Sequence, residues 1–195
     1  MKKNLITAVL MTIATTILLG IIYPLVVTAL AQVIFPKQAN GQLIQKNGVI
    51  VGSRIIGQGF SGVSYFHSRP SATTIPYDAA NSAGSNYGPT NQKLIDRVKA
   101  DVATLQAENP NQPVPIDMVT TSASGFDPEI SPAAAEFQLP RVAKERGIAV
   151  DQLRALVKNH TESRQFGFFG EPRVNVLELN LDLDQRYPNS KQAKE

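Results

Sequence analysis

The chain has no cysteine, no tryptophan and only two histidines among its 195 residues. Without thiols it has no disulfide framework and no thiolate metal site, although that absence does not identify a compartment. His67 and His160 have no E-x-x-H or H-x-H company, so they do not read as a transition-metal site. Net charge is also scarce. The formal balance is +3, and residues 1–36 contain Lys2 and Lys3 but no acid. The other 17 basic and 16 acidic residues nearly cancel. No basic cluster with interleaved aromatics appears, which argues against a nucleic-acid partner.

Charge is missing altogether from Leu5 to Phe35, a run of 31 residues. A bilayer core needs roughly 20 apolar residues in a helix. Ala29-Leu30-Ala31 resembles a signal-peptidase site, but the apolar region of a signal peptide is only about 7–15 residues long. The run therefore reads as an uncleaved single-pass anchor, dividing the chain into residues 1–36 and a domain over 37–195. Lys2, Lys3 and the amino terminus crowd one flank, while Lys37, Lys46 and Arg54 are spread along the other. The positive-inside rule then puts the N-terminus in the cytoplasm and the domain outside. Within the span Ala8, Thr12, Thr16, Gly20, Pro24, Thr28 and Gln32 recur every four residues. Small and weakly polar residues at this spacing allow a second helix to approach. Thr12, Thr16, Gly20, Pro24 and Thr28 are therefore candidate partner-packing positions. A step of four drifts about 40° per repeat on an α-helix, so the whole row does not share one straight face.

Beyond the anchor the pattern is α+β, with a small antiparallel or mixed sheet and no sustained βαβ repeat. Asn47-Gly48 between apolar runs predicts a hairpin. Residues 57–90 have little periodicity, and their aromatics Phe60, Tyr65, Phe66, Tyr77 and Tyr87 predict a long connection that packs onto something. Thr90 is a candidate cap for a helix to about Glu108, with Leu94, Ile95, Val98, Val102 and Leu105 on one face. VPIDMVTT (114–121) reads as a strand. Helices are predicted near 132–146 and 150–160, with Ser131 as N-cap, Pro132 at the first turn, and a kink or a fresh start at Pro140. The tail PRVNVLELNLDLD reads as a strand, its two alternation phases joined by a bulge near Val176-Leu177.

Candidate chemistry is thin. Gly57-Gln58-Gly59-Phe60-Ser61-Gly62 matches G-x-G-x-x-G but lacks the following helix and the acid that a dinucleotide site needs. It reads as a glycine-rich turn. Asp182 and Asp184 read as the solvent face of the last strand. Asp127 and Glu129 form the one carboxylate pair that an extracytoplasmic hydrolase could use, yet no base, nucleophile and oxyanion set converges on them.

The ordered segments VGSRIIGQ, YFHSRPSA, SAGSNYGPTN, SASGFDPEISPAAAEFQ, PRVAKERG and GEPRVNVLELNLDLD, following an N-terminal membrane helix, resemble KdpC, the small C subunit of potassium-transporting P-type ATPases. The resemblance covers nearly the whole chain. It implies a non-catalytic subunit of a high-affinity, ATP-driven potassium uptake complex in the bacterial inner membrane. The implied partners are a channel-like potassium-binding subunit, a P-type ATPase subunit and a very small membrane peptide. It also implies a role in assembly and, as a catalytic chaperone, in raising ATP affinity, linking Ser122, Ser124 and Gly125 to nucleotide. ATP is cytoplasmic, so the orientation read above favours coupling through the membrane subunits over direct contact.

Overall fold

The computed structural model describes residues 1–188. Its contacts divide into two units, Met1–Val51 and the chain from Gly52 on. In the first unit, Lys2–Ile34 is one uninterrupted helix of 33 residues, and an 18-residue stretch of it has a mean hydropathy of 2.5. At 1.5 Å per residue it is about 50 Å long, more than the roughly 30 Å of hydrocarbon it would have to cross. It consists of α1 (Lys2–Thr15), a π-helical segment (Thr16–Ile22) and α2 (Tyr23–Ile34). Pro24 lacks an N–H, and the chain answers just upstream by changing register. The Tyr23 N–H donates to the Leu18 carbonyl, five residues back. Thr12 and Thr15 hydroxyls donate to the carbonyls of Ala8 and Met11, at 2.9 and 2.8 Å. Phe35 ends the helix, and Pro36 opens the short α3 (Pro36–Ala39). Gln32 and Asn40 then exchange amide hydrogen bonds at 3.3 and 3.0 Å. The predicted hairpin follows as β1 (Leu43–Lys46) and β2 (Val49–Ser53). Asn47 and Gly48 both adopt positive φ, 53° and 79°, as a two-residue type I′ turn requires.

In the second unit, α4 (Gln92–Glu108) is capped by Asn91 rather than Thr90, its side chain accepting from Lys93 N–H at 2.9 Å. The apolar face of α4 contains no fully buried residue. VPIDMVTT is not a strand. It forms a 3₁₀ turn over Ile116–Met118, because the Asp117 carboxylate turns to accept from the Ser131 N–H and hydroxyl at 2.7 and 3.0 Å. Ser131 meanwhile caps α5 (Pro132–Arg146), accepting from Ala134 N–H at 3.0 Å. Pro140 neither ends nor restarts α5, and Gly147, at φ +66°, terminates it. α6 (Val150–Asn159) follows.

The tail corrects the sequence reading most sharply. Only Arg173–Asn175 is strand (β5), and Val176–Arg186 is helix (α7). The junction falls where the two alternation phases suggested a bulge. Asn175 caps the helix, accepting from Glu178 N–H at 3.0 Å. Val176, Leu177, Leu179, Asn180 and Leu183 are buried, the i, i+1, i+3, i+4, i+7 pattern of one helical face. Leucine at every second position imitates a strand, but Val176 and Asn180, which alternation would turn outward, are buried with them. β5 is the centre of a three-stranded sheet flanked by β3 (Glu129–Ile130) and β4 (Thr161–Glu162). Both pairings are antiparallel, with Ile130 and Thr161 opposite Val174 on its two sides. Phe66, Ile130, Leu139, Val142, Leu153, Val174, Leu179 and Leu183 lie in one core cluster.

The long irregular segment packs down as predicted over its first part, whereas Tyr87 and most of residues 79–90 stay exposed. Phe66 is completely buried, which contributes on the order of 2–3 kcal/mol of apolar transfer. Among the described residues no strand runs beside it to pair its backbone. Asn180 of α7 accepts from Phe66 N–H at 3.0 Å and donates to Phe66 C=O at 2.9 Å. Gln138 of α5 does the same for His67, at 2.7 and 3.1 Å. Removing either amide leaves a buried N–H and C=O unpaired, so Asn180→Leu and Gln138→Leu should each cost about 2–3 kcal/mol. Urea unfolding of the full chain measures this, and a change below roughly 0.5 kcal/mol, the scale of ordinary surface substitutions, would refute it.

Candidate functional site

Ser122, Ser124 and Gly125 form a tight turn whose polar atoms face the protein. The buried Ser122 hydroxyl accepts from Gly125 N–H at 2.9 Å. Ser124 Oγ accepts from Phe126 N–H at 3.4 Å. The Ser124 carbonyl receives the Ala83 N–H and the Ser82 hydroxyl, each at 3.1 Å. The Gly125 carbonyl receives the Ser71 hydroxyl at 2.6 Å. Gly125 has φ +81°, and a β-carbon there would lie 2.4 Å from Thr73 Cγ2 and 2.9 Å from the Ala83 carbonyl. The turn is thus a clasp for residues 71–83, and only glycine fits its centre. Gly57 has a similar reason for its identity. Its N–H donates to the Phe126 carbonyl at 2.8 Å, and a β-carbon would sit 2.5 Å from the Asp127 carbonyl. The glycine run at 57–62 therefore begins at a close backbone crossing.

Beside the clasp lies an open cleft of about 490 Å³, lined by Arg69, Asp117, Asp127, Glu129, Ser131, Glu171 and Arg173 among others. It contains both members of the candidate carboxylate pair, each already engaged. Asp127 meets Arg69 at 3.2 Å and accepts the Glu129 N–H at 3.1 Å. Glu129 meets Arg173 at 2.8 Å, and Arg173 also reaches Glu162 at 2.9 Å. Arg54 extends the network to Glu162 and, at 3.1 Å, to Glu178. Such a lattice of ion pairs fixes the cleft floor and can meet a polar partner, but it places no reactive group against a substrate position. The sequence reading missed Arg69, Asp117, Arg173, Gln138 and Asn180. Two of the arginines stand in quoted segments, YFHSRPSA and EPRV, yet their partners lie 58 and 44 positions away in Asp127 and Glu129, beyond any local pattern.

Thr12, Thr16, Gly20, Pro24 and Thr28 lie on the exposed membrane-length helix. The π segment covers the middle of this row, Thr16 and Gly20. An α-helix overshoots one turn in four residues, whereas a π turn holds more residues and undershoots. The two drifts oppose, bringing the row closer to one face than an unbroken α-helix would.

The sequence pattern of the family described as "KdpC: K+-transporting ATPase, c chain" matches residues 5–185. This chain belongs to that family. A Koribacter versatilis protein named "Potassium-transporting ATPase KdpC subunit" is 66% identical over 188 residues, covering 96% of this chain and 97% of its own length. A Rhodopseudomonas palustris protein of the same name is 58% identical, covering 94% and 98%. One from Methylobacterium nodulans, also so named, is 52% identical, covering 95% and 98%. The resemblance read from the ordered segments is therefore correct.

In this KdpC-family chain neither histidine sits in the carboxylate cleft. His160 on the end of α6 pairs with Asp182 of α7 at 2.8 Å, so Asp182 is not a solvent-facing strand residue. Arg186 meets it from the same helix at 2.7 Å, and hydrogen bonds from both partners hold its carboxyl below the usual range against the cost of burial. His67 lies between Gly62, whose carbonyl is 3.0 Å from Nε2, and the Arg141 guanidinium. Burial first, and then Arg141, push its imidazole below the ordinary 6.5. Between that lowered value and about 6.5 the unfolded chain binds the extra proton and the folded chain does not. Stability should therefore fall as pH drops below about 6.5, and His67→Gln should flatten that slope. Denaturant midpoints from pH 7.5 to 5 test this, and identical pH profiles for the two proteins would contradict it.

Proposed function

We propose that this chain is a non-catalytic accessory subunit of a high-affinity, ATP-driven potassium uptake complex, needed for its assembly and stability. The family match over residues 5–185 carries the reading. ATP hydrolysis belongs to a P-type ATPase subunit, potassium is the cargo, and a channel-like subunit and a small membrane peptide complete the complex. Residues 1–36 form the cytoplasmic tip and the single span of the bacterial inner membrane. Residues 37–195 form the extracytoplasmic domain, resting on the outer face of the channel-like subunit. The helix packs on a neighbouring helix through Thr12, Thr16, Gly20, Pro24 and Thr28. The engaged state of Asp127 and Glu129 favours this reading over an anchored hydrolase.

Any rise in the ATPase subunit's affinity for ATP travels as a coupling free energy through the membrane subunits. Two observations support this over nucleotide contact at Ser122, Ser124 and Gly125. The clasp uses its polar atoms on residues 71–83 and on itself, and the density of positive charge at the N-terminus favours an outside position for it.

Replacing Thr16 and Gly20 together by leucine should reduce recovery of the large subunits in mild-detergent purification at least severalfold. Undiminished recovery would sink the helix-packing assignment. The chain has no cysteine, so Ala123→Cys, at an exposed position in the clasp, introduces a lone thiol. A membrane-impermeant maleimide should label it in intact spheroplasts. Labelling only after lysis would reverse the orientation and return the clasp to the ATP side.

A further inference from the structure

The loop joining β4 to β5 holds three phenylalanines out from the domain. Phe166, Phe168 and Phe169 are 86%, 65% and 57% exposed. Scattered exposed apolar residues are ordinary, but a contiguous aromatic cluster marks an interaction surface. The loop is also closed by its own backbone. Gln165 and Phe169 exchange both backbone hydrogen bonds at 2.9 Å, and Phe168 N–H donates to Gln165 C=O at 3.2 Å. The Phe168 and Phe169 rings touch, with centroids 4.2 Å apart. Phe166 is held at φ +52°, left-handed backbone that a bulky residue seldom adopts. An unfavourable backbone state spent on pointing an aromatic ring into solvent is evidence of use.

The rim of this tip indicates what covers it. Arg164 pairs with Glu171 at 2.5 Å, and Arg173 pairs with Glu162 and Glu129 at 2.9 and 2.8 Å. Both arginines of the hairpin are thereby neutralised. An anionic lipid surface is met by unpaired Lys or Arg around the inserted apolar side chains. This tip presents its rings with no unpaired Lys or Arg on the hairpin, inside a collar of closed ion pairs. A desolvated aromatic centre within a polar rim is the anatomy of a protein–protein anchor.

We propose that the Phe166–Phe169 turn is the anchor that seats this domain in an apolar pocket on the extramembrane surface of another subunit of its complex. The proposal rests on the accessory-subunit reading and adds the residues that make the contact.

The test uses the full chain, produced together with the other subunits, with a photoreactive phenylalanine analogue at position 166. Irradiation should give an adduct with a larger subunit of the complex. Phe168→Ser with Phe169→Ser removes exposed rings only, so the melting temperature should hold. The adduct yield should fall about tenfold or more, the scale of losing aromatic anchors. An adduct with lipid alone, an adduct with a second copy of this chain alone, no adduct, or a yield unchanged by the double substitution would each overturn the proposal. A parallel probe at Thr16 separates the two readings. If the helix probe captures a subunit and the turn probe does not, the anchor is wrong and the accessory reading stands. If neither captures one, both fall.

Discussion

The extramembrane unit depends on satisfying a buried backbone that has no strand beside it. Phe66 fills the core, so the peptide groups on either side of it must go in as well, and an unpaired N–H or C=O there would cost as much as several ordinary contacts contribute. Asn180 and Gln138 supply the missing pairing from two different helices. Arginines complete the enclosure. Arg141 donates to the carbonyls of Val63 and Tyr65 at 2.6 and 2.9 Å. Arg146, whose side chain is fully buried, donates to Ser64 C=O at 2.9 Å, pairs with Asp184 at 2.8 Å and lies 4.7 Å from the centre of the Tyr65 ring. Residues 63–67 are thus laid into a trough of amide and guanidinium donors, and the irregular chain on either side inherits its position from that seat.

This explains what the sequence made legible. Local signals worked where local forces decide. Asn47-Gly48 set a hairpin, Ser131-Pro132 opened a helix, and an uncharged run of apolar residues made a membrane-length helix. The reading failed where tertiary contact overrides pattern. VLELNLDLD alternates like a strand, but its capping Asn175 and the burial of Val176, Leu177, Leu179, Asn180 and Leu183 select the helical period. VPIDMVTT has β-branched residues enough for a strand, but Asp117 is needed to hold Ser131. Sequence alone cannot separate the nucleotide link of the Ser-Gly stretch from a structural turn, because a tight clasp and an anion cradle both need glycine at positive φ and small hydroxyl side chains. Only the identity of the hydrogen-bond partners separates them, and those partners lie some forty to fifty residues upstream.

The membrane helix applies the same physics in a different solvent. In hydrocarbon no water can relieve a carbonyl orphaned by proline. The π register before Pro24 is a backbone answer to that restriction, and it falls within the row of small residues. A single substitution of Pro24 therefore alters two things together, the hydrogen-bond register and the alignment of the packing face.

The sequence distance of the Phe66 seat has a kinetic consequence. Asn180 lies 114 positions downstream of the peptide it fastens, and Glu178 lies 124 positions beyond Arg54. Contacts of such separation form late, because loop closure must precede them. A chain emerging from its N-terminus can insert its helix and turn its first hairpin while residues 54–77 still lack their fastenings. The domain closes only when α7, more than a hundred residues downstream of Phe66, arrives. Loss of the final helix would thus leave the N-terminal third of the domain without its seat, although α7 and that segment are nearly the full domain apart in sequence.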